Sequence, residues 1–234
     1  ISDPESRAMQ TKKRFSELSY NTQLSVSKNQ IIVANDVCQD KHDVRQFVPQ
    51  VKNIKGNIKL EKNTKIGLDC GYSDGDNLKF AEDKDIDLYV PSRAMAQKLD
   101  GKEQSLHHDN YEYDVKKDEI LFKGYKYRRS GSYTRKDGRR ILTFYCNELK
   151  KKKDIPFYFR ARLRMKEKMS TCEAKKVYSL RKITVEPVYG NLKENLGFRG
   201  FLLRGVEKVR IEFNLACIAH NLQKIWRLGG VVSC

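Results

Sequence analysis

The order of hydrophobic patterns between residues 20 and 90 constrains the fold more than any other feature. Two runs of strand-forming residues are joined by the polar pair Lys28-Asn29, which indicates a hairpin. A helical spacing, a short apolar run, a second helical stretch and a last apolar run follow. Such an order predicts an α/β layer instead of a helical bundle. The predicted elements are Tyr20–Ser27, Gln30–Val37, His42–Ile54 (with Pro49 as a potential kink), Lys65–Leu68, a helix capped by Ser73 and running to Asp85, and Ile86–Val90.

The remaining sequence adds a second kind of structure to this layer. Residues 1–19 predict a polar lead-in with one short helical turn, and residues 92–109 predict a polar loop. Apolar and polar residues alternate over 110–146, which is typical of a small antiparallel sheet. Residues 157–176 are helical and basic, and 177–227 predict two final helices. We therefore divide the chain into the first part of a core (1–109), a basic inserted subdomain (110–170) and the C-terminal helices of the core (171–234).

The charge of the chain indicates an anionic partner. The formal net charge is +17, and residues 121–168 hold 17 Lys and Arg against four Asp and Glu. Cations of this density bind phosphates by releasing counterions, so we expect double-stranded DNA as the partner. The densest tract is Lys150, Lys151, Lys152 and Lys153, for which a solvated loop is the alternative. Nine aromatic residues lie between these cations, and we expect most of them to fill the core of the inserted sheet, although unpaired bases could stack on some.

Several classes of protein are excluded. No run approaches the roughly 18–20 apolar residues that span a bilayer, and no signal peptide is recognisable at the start. The six cysteines include no CxxC pair, so we expect reduced thiols and no structural zinc. There is no phosphate-binding glycine loop and no Ser-His-Asp or Cys-His arrangement.

Two carboxylates stand out by their surroundings. Asp69 follows an apolar run in the segment TKIGLDCGYSD (64–74), at the place where a strand would end. Glu186 lies among cations in the helical segment VYSLRKITVEPVYGNLKENLGF (177–198), directly before Pro187. Each has a plain structural alternative: Asp69 could cap the turn that follows it, and Glu186 could form an ion pair with Lys182.

These two segments resemble the second Asp and the final Glu of the DDE transposases of bacterial insertion sequences, and residues 197–225 resemble the last helices of that family. The resemblance implies a ribonuclease-H-like α/β fold, with a mixed sheet, flanking helices and the basic insertion. It also implies strand cleavage and strand transfer at transposon ends, with Asp69 and Glu186 as catalytic ligands of Mg²⁺ or Mn²⁺. In this pattern Tyr178, Arg181 and Lys193 contact DNA phosphates. The spacing to Glu186 is one residue longer than usual, so Lys182 could take the place of Arg181.

The resemblance has one large gap. The first Asp of the family stands in a DGT-like segment on an opening strand, and the sequence has no such segment. We therefore expect that the first ligand lies on sequence upstream of Ile1 and that this piece alone is inactive. A non-catalytic DNA-binding remnant of a decayed gene is the alternative, and a ribosome-associated basic protein is a third interpretation. The family further implies a cytoplasmic, bacterial protein that associates with the nucleoid when active, acts on transposon ends and target DNA, and could form a homodimer on DNA.

Overall fold

The computed structural model describes residues 3–10, 15–99, 111–136 and 138–229, which form a mixed α/β chain. The strands are β1 (Arg7–Gln10), β2 (Ser16–Ser19), β3 (Asn21–Val26), β4 (Ile32–Cys38), β5 (Lys65–Gly67), β6 (Asp87–Tyr89), β7 (Glu112–Asp114), β8 (Glu119–Phe122), β9 (Tyr125–Thr134), β10 (Arg140–Cys146) and β11 (Lys151–Pro156). The helices are α1 (Phe47–Asn57), α2 (Gly75–Asp83), α3 (Arg93–Leu99), α4 (Phe159–Ser170), α5 (Cys172–Ser179), α6 (Arg181–Gly190) and α7 (Val206–Arg227).

The basic insertion is an antiparallel sheet of five strands in the order β11-β10-β9-β8-β7. The predicted sheet is thus confirmed, and it extends further along the chain, through β11. Its core contains Ile120, Phe144 and Ile155, which pack against Phe159 at the start of α4. Sequential hairpin pairing explains why local alternation was sufficient to predict this sheet.

Most aromatic residues of the insertion fill cores, as expected. Tyr127, Phe144 and Phe159 are buried, whereas Tyr125 and Tyr133 are exposed. Tyr133 donates a hydrogen bond to Asp154 at 2.7 Å on the outer face of the sheet. The structure therefore leaves few aromatic rings of this sheet open to bases.

The predicted hairpin is confirmed as the antiparallel pair β3–β4, which packs against the last helices. Val37 of β4 lies in one core with Val188, Leu192 and Phe213. The 22-residue helix α7 covers the hairpin. This places α6 beside the hairpin, which matters for the site below.

The predicted strands around Leu68 and Leu88 form the parallel pair β5–β6. Helices α1, α2 and α4 supply the core around this pair, with Phe47, Leu78 and Leu88 among its buried residues. Within the described ranges β3–β4 and β5–β6 are separate two-stranded sheets, so the continuous mixed sheet that the resemblance implies is not formed there.

Three local expectations were wrong. Residues 7–10 and 16–19 form the antiparallel pair β1–β2 where a helical turn was expected, and residues 93–99 form α3 where a loop was expected, while 100–110 lie outside the described residues. The second helix is capped by Asp74, whose carboxylate accepts from Asp76 N at 3.2 Å, and not by Ser73. Pro49 lies in the first turn of α1, where proline is tolerated because the N–H groups there have no helical partner.

Candidate active site

Asp69 lies where the chain leaves the parallel sheet. Leu68 N still donates to Tyr89 O at 2.9 Å, which continues the pairing of β5 with β6. Asp69 then caps the short 3₁₀ turn Cys70–Tyr72, and its Oδ1 accepts from Cys70 N at 2.6 Å. Its Oδ2 is directed to another partner, Arg181, whose Nη1 lies 3.3 Å away. Asp69 therefore caps the turn with one oxygen and forms an ion pair with the other.

A polar network holds the turn that carries Asp69. The Tyr72 hydroxyl donates to Gln23 Oε1, and Gln23 Nε2 donates to Asp43 Oδ1 at 2.8 Å. Burial raises the pKa of Tyr72, so this hydroxyl stays protonated and remains a donor. The Asp43 side chain approaches Gly71 closely, since a Cβ added at Gly71 would lie 3.3 Å from Asp43 Oδ2. The sequence pattern does not indicate these supporting residues, apart from a glutamine inside an otherwise strand-like run.

Glu186 is positioned by a helix that carries a proline in its interior. Pro187 cannot donate to the carbonyl of Ile183 four residues earlier, so that acceptor is left without its usual partner. Gln30 Nε2, from the turn of the β3–β4 hairpin, donates to this carbonyl at 2.7 Å. The hairpin thus fixes α6 immediately beside Glu186.

Arg181 bridges the two carboxylates. Its Nη1 lies 3.3 Å from Asp69 Oδ2, and its Nη2 lies 3.5 Å from Glu186 Oε1. The guanidinium carbon is 4.9 Å from the ring centre of Tyr178. The Arg181 side chain is only 20 % exposed, whereas both carboxylate side chains are 53 % exposed. Two acids distant in sequence therefore converge on one cation, with their outer sides open to solvent.

The chemistry of this arrangement suits a hard divalent cation in part. Carboxylate oxygens are the ligands that Mg²⁺ prefers, and the ion usually keeps several waters while binding only one or two protein carboxylates. The positive guanidinium of Arg181 lies between the two carboxylates and neutralises their charge, as a bound metal ion would. In the described ranges no group of three or more His, Cys, Asp or Glu could hold a metal ion. The two carboxylates thus offer ligands of the type that Mg²⁺ prefers, and no third acid joins them within the described ranges.

The other predicted DNA contacts differ in their accessibility. Lys182 and Lys193 are exposed on α6 and on the π-helical turn that follows it. Tyr178 is only 4 % exposed and lies in a core with Met169. Its ring packs against the Arg181 guanidinium and supports that side chain. Its contact with DNA stays a prediction.

The lysine tract is not a loop in the structure. Lys150 is the turn residue before β11, and Lys151, Lys152 and Lys153 begin that edge strand. The first three lysines are exposed, whereas the Lys153 ammonium lies 3.4 Å from the ring centre of Phe122. Lysines on an edge strand also prevent pairing with other chains, which is the structural alternative to DNA binding.

A family model for the transposase DDE domain matches residues 127–226. The matched residues are thus similar to a transposase DDE domain. The match confirms the resemblance to DDE transposases, but not an origin from bacterial insertion sequences. Searches of curated proteins and of solved structures give no match.

The match to the transposase DDE domain includes two of the three residues of the site, Arg181 and Glu186, but not Asp69. It covers α4 to α7 with Arg181 and Glu186, together with the lysine tract, and it begins well after Asp69. No helix in the described part of the chain is long and apolar enough to cross a membrane. Asp69 therefore lies outside the matched residues, and its ion pair with Arg181 connects it to them.

Proposed function

We propose that the chain is the catalytic part of a DDE transposase of a bacterial insertion sequence, which cleaves DNA at transposon ends and joins the freed 3′ ends to target DNA. The observation that carries this proposal is the convergence of Asp69 and Glu186 on the two Nη atoms of Arg181. Only tertiary structure brings these two acids together, and they are the acids that the resemblance selects. The match of residues 127–226 to the transposase DDE domain supports the same conclusion.

In this proposal Asp69 and Glu186 hold Mg²⁺ or Mn²⁺ at the end of β5. The bound ion would supply Lewis-acid activation of the attacking oxygen and stabilisation of the departing one. Arg181 gives up its carboxylate partners when the cation binds, and its guanidinium is then available for a phosphate of the transposon end. Lys182 and Lys193, exposed on the same segment, bind neighbouring phosphates.

The proposal includes a ribonuclease-H-like arrangement with a further strand. Among the described residues the pairs β3–β4 and β5–β6 each present an unpaired edge, and the hydrogen bond from Tyr72 to Gln23 joins the end of β5 to β3. A strand from upstream sequence between these edges would complete a mixed sheet and bring the first Asp. Asp3 is unsuitable for this role, because its Oδ2 accepts from Tyr20 and from Gly205 N at the start of α7.

Manganese binding tests the proposed site. Titration of residues 1–234 with Mn²⁺, followed by electron paramagnetic resonance, should show a site that is lost in Asp69→Asn and in Glu186→Gln. Glu194→Gln is the matched control, since Glu194 is an exposed acid on the next turn that pairs with Arg199 at 2.5 Å. Equal Mn²⁺ binding by all three variants would refute the site.

Cleavage tests the reaction. We expect no Mg²⁺-dependent cutting of an element-bearing plasmid by residues 1–234, and cutting after fusion of a related DGT-bearing segment before Ile1. Cutting by the fusion should disappear with Asp69→Ala. Cutting by the unextended chain would refute the need for a further carboxylate.

A non-catalytic DNA-binding remnant is the second candidate. It is favoured by the specific observation that only two acids converge in the described ranges and that Arg181 already neutralises them. This candidate predicts DNA binding without any Mn²⁺ site, so the titration above separates the two proposals.

A further inference from the structure

One face of α7 carries a row of exposed apolar side chains. Their spacing of four, three, four and three residues is the heptad spacing of helices that pack along one seam. We call this row the α7 stripe; its members are Ile211, Leu215, Ile218, Leu222 and Ile225. Each is between 48 % and 63 % exposed, and Trp226 and Leu228 extend the apolar surface at the end of the helix.

The opposite face of α7 is firmly attached to the fold, so the stripe cannot rotate inward. Val209, Phe213 and Cys217 are buried in the core shared with β4. His220 Nε2 lies 2.8 Å from Gln30 O. The Asn221 side chain accepts from Ile32 N at 2.8 Å and donates to Ile32 O at 2.9 Å. The helix therefore has two apolar faces, one buried in the core and one that the described residues leave uncovered.

The uncovered face is large enough for a stable interface. The exposed parts of the five stripe residues, Trp226 and Leu228 amount to roughly 800–900 Å² per copy, about the share of each partner in a standard-size interface. A monomer seldom exposes a connected apolar patch above roughly 300–600 Å². The area indicates that another apolar surface of the same length covers it.

We propose that the α7 stripe is the interface of a symmetric dimer in which the α7 helices of two copies pack antiparallel. A second copy is the partner that offers an apolar row of identical length and spacing. The antiparallel direction follows from charge: Lys208 occupies the next seam position before Ile211. Parallel helices would place the two Lys208 side chains together, whereas antiparallel helices place each near Trp226 of the other copy and oppose the helix dipoles.

This dimer does not depend on the chemistry at Asp69 and Glu186, so either proposal can fail alone. Sedimentation equilibrium of residues 1–234 at moderate salt, which screens the repulsion between the basic copies, should show a monomer–dimer equilibrium. Ile218 faces its own counterpart at the centre of the antiparallel pair. Ile218→Lys should weaken dimerisation at least about 100-fold, because each dimer would contain two central lysines.

The matched control is Leu202→Lys, the same kind of change at a side chain that is 90 % exposed and off the stripe. It should leave the dimer intact, and circular dichroism should show both variants folded. A wild-type chain that stays monomeric, or an equal loss of dimer in both variants, would overturn the proposal.

Crosslinking tests the direction and does not depend on a lysine variant. In an antiparallel dimer, oxidation should join Ile211→Cys to Ile225→Cys when the two variants are mixed, above the background of the parent thiols. Crosslinking of Ile211→Cys with itself, without the mixed product, would overturn the antiparallel arrangement.

Discussion

Replacement of Arg181 by alanine should tighten divalent-metal binding at the site while weakening DNA binding. In the structure the guanidinium of Arg181 contacts both Asp69 and Glu186, so an incoming cation must take its place. The same guanidinium, once released, is the proposed phosphate contact. Arg181→Ala removes both the competitor and the contact.

The magnitude follows from the two ion pairs. They are 3.3 Å and 3.5 Å long and their carboxylate side chains are about half exposed, so solvent screens them. Pairs of this kind contribute about 0.2–1 kcal/mol each, and their joint loss corresponds to about 2- to 30-fold tighter metal binding. Without metal, the variant should lose about 1–2 kcal/mol of unfolding free energy, which includes the contact of Arg181 with Tyr178.

The assay compares Arg181→Ala with Lys182→Ala, which removes the same charge from the adjacent residue. Mn²⁺ titration gives the metal affinity, and fluorescence anisotropy with a duplex gives the DNA affinity. Both variants should weaken DNA binding, but only Arg181→Ala should tighten Mn²⁺ binding. Unchanged or weaker Mn²⁺ binding in Arg181→Ala, or equal tightening in both variants, would refute the competition between guanidinium and metal.

Three further predictions concern the insertion, α6 and alkaline stability. Replacing the exposed lysines 150–152 by alanine should make the slope of log affinity for DNA against log salt less negative by about 0.9 for each phosphate that these lysines neutralise; an unchanged slope would indicate that they only protect the edge of β11. Gln30→Ala should lower the unfolding free energy by about 1 kcal/mol, as judged by urea denaturation. The loss should shrink when Pro187→Ala restores the internal donor to Ile183, and strictly additive effects in this double-mutant cycle would contradict the capping of that carbonyl. Burial raises the pKa of Tyr189 to about 12, so the stabilisation that depends on its protonated form is complete below pH 10 and is lost as the pH rises towards 12. Thermal midpoints measured from pH 9 to 12 should fall less steeply in Tyr189→Phe, and parallel pH profiles would contradict this linkage.

The elements that the sequence predicts well are those whose pattern is decided by neighbouring residues. The β3–β4 hairpin and the five-stranded sheet have strand-like composition with short polar joints, and antiparallel neighbours pair through such joints. The β1–β2 hairpin was missed because its residues are polar and mostly exposed. It is preceded by Asp3 and Glu5, which accept hydrogen bonds from Gly205 N and Val206 N, more than 200 positions away. No local pattern contains that contact.

The candidate site shows the same division. The resemblance to DDE transposases selects Asp69, at the end of an apolar run, and Glu186, in a basic helix, but no local pattern brings the two acids together. Arg181 was assigned to DNA from the pattern, whereas the structure directs it to both carboxylates. That difference depends on where β5 ends relative to α6, which is set by core packing around Tyr178 and by Gln30 holding α6.

The sequence by itself thus determined the mixed α/β class, the basic antiparallel insertion and the similarity of the C-terminal part to a transposase DDE domain, since these depend on periodicity, charge and a local motif. Only the tertiary structure decided that Asp69 and Glu186 share one guanidinium and that Tyr178 is buried. It also decided which of the two apolar faces of α7 packs into the core. The physical reason is that an amphipathic pattern specifies which side chains avoid water, whereas the partner that covers each of them is selected by packing between segments far apart in the chain.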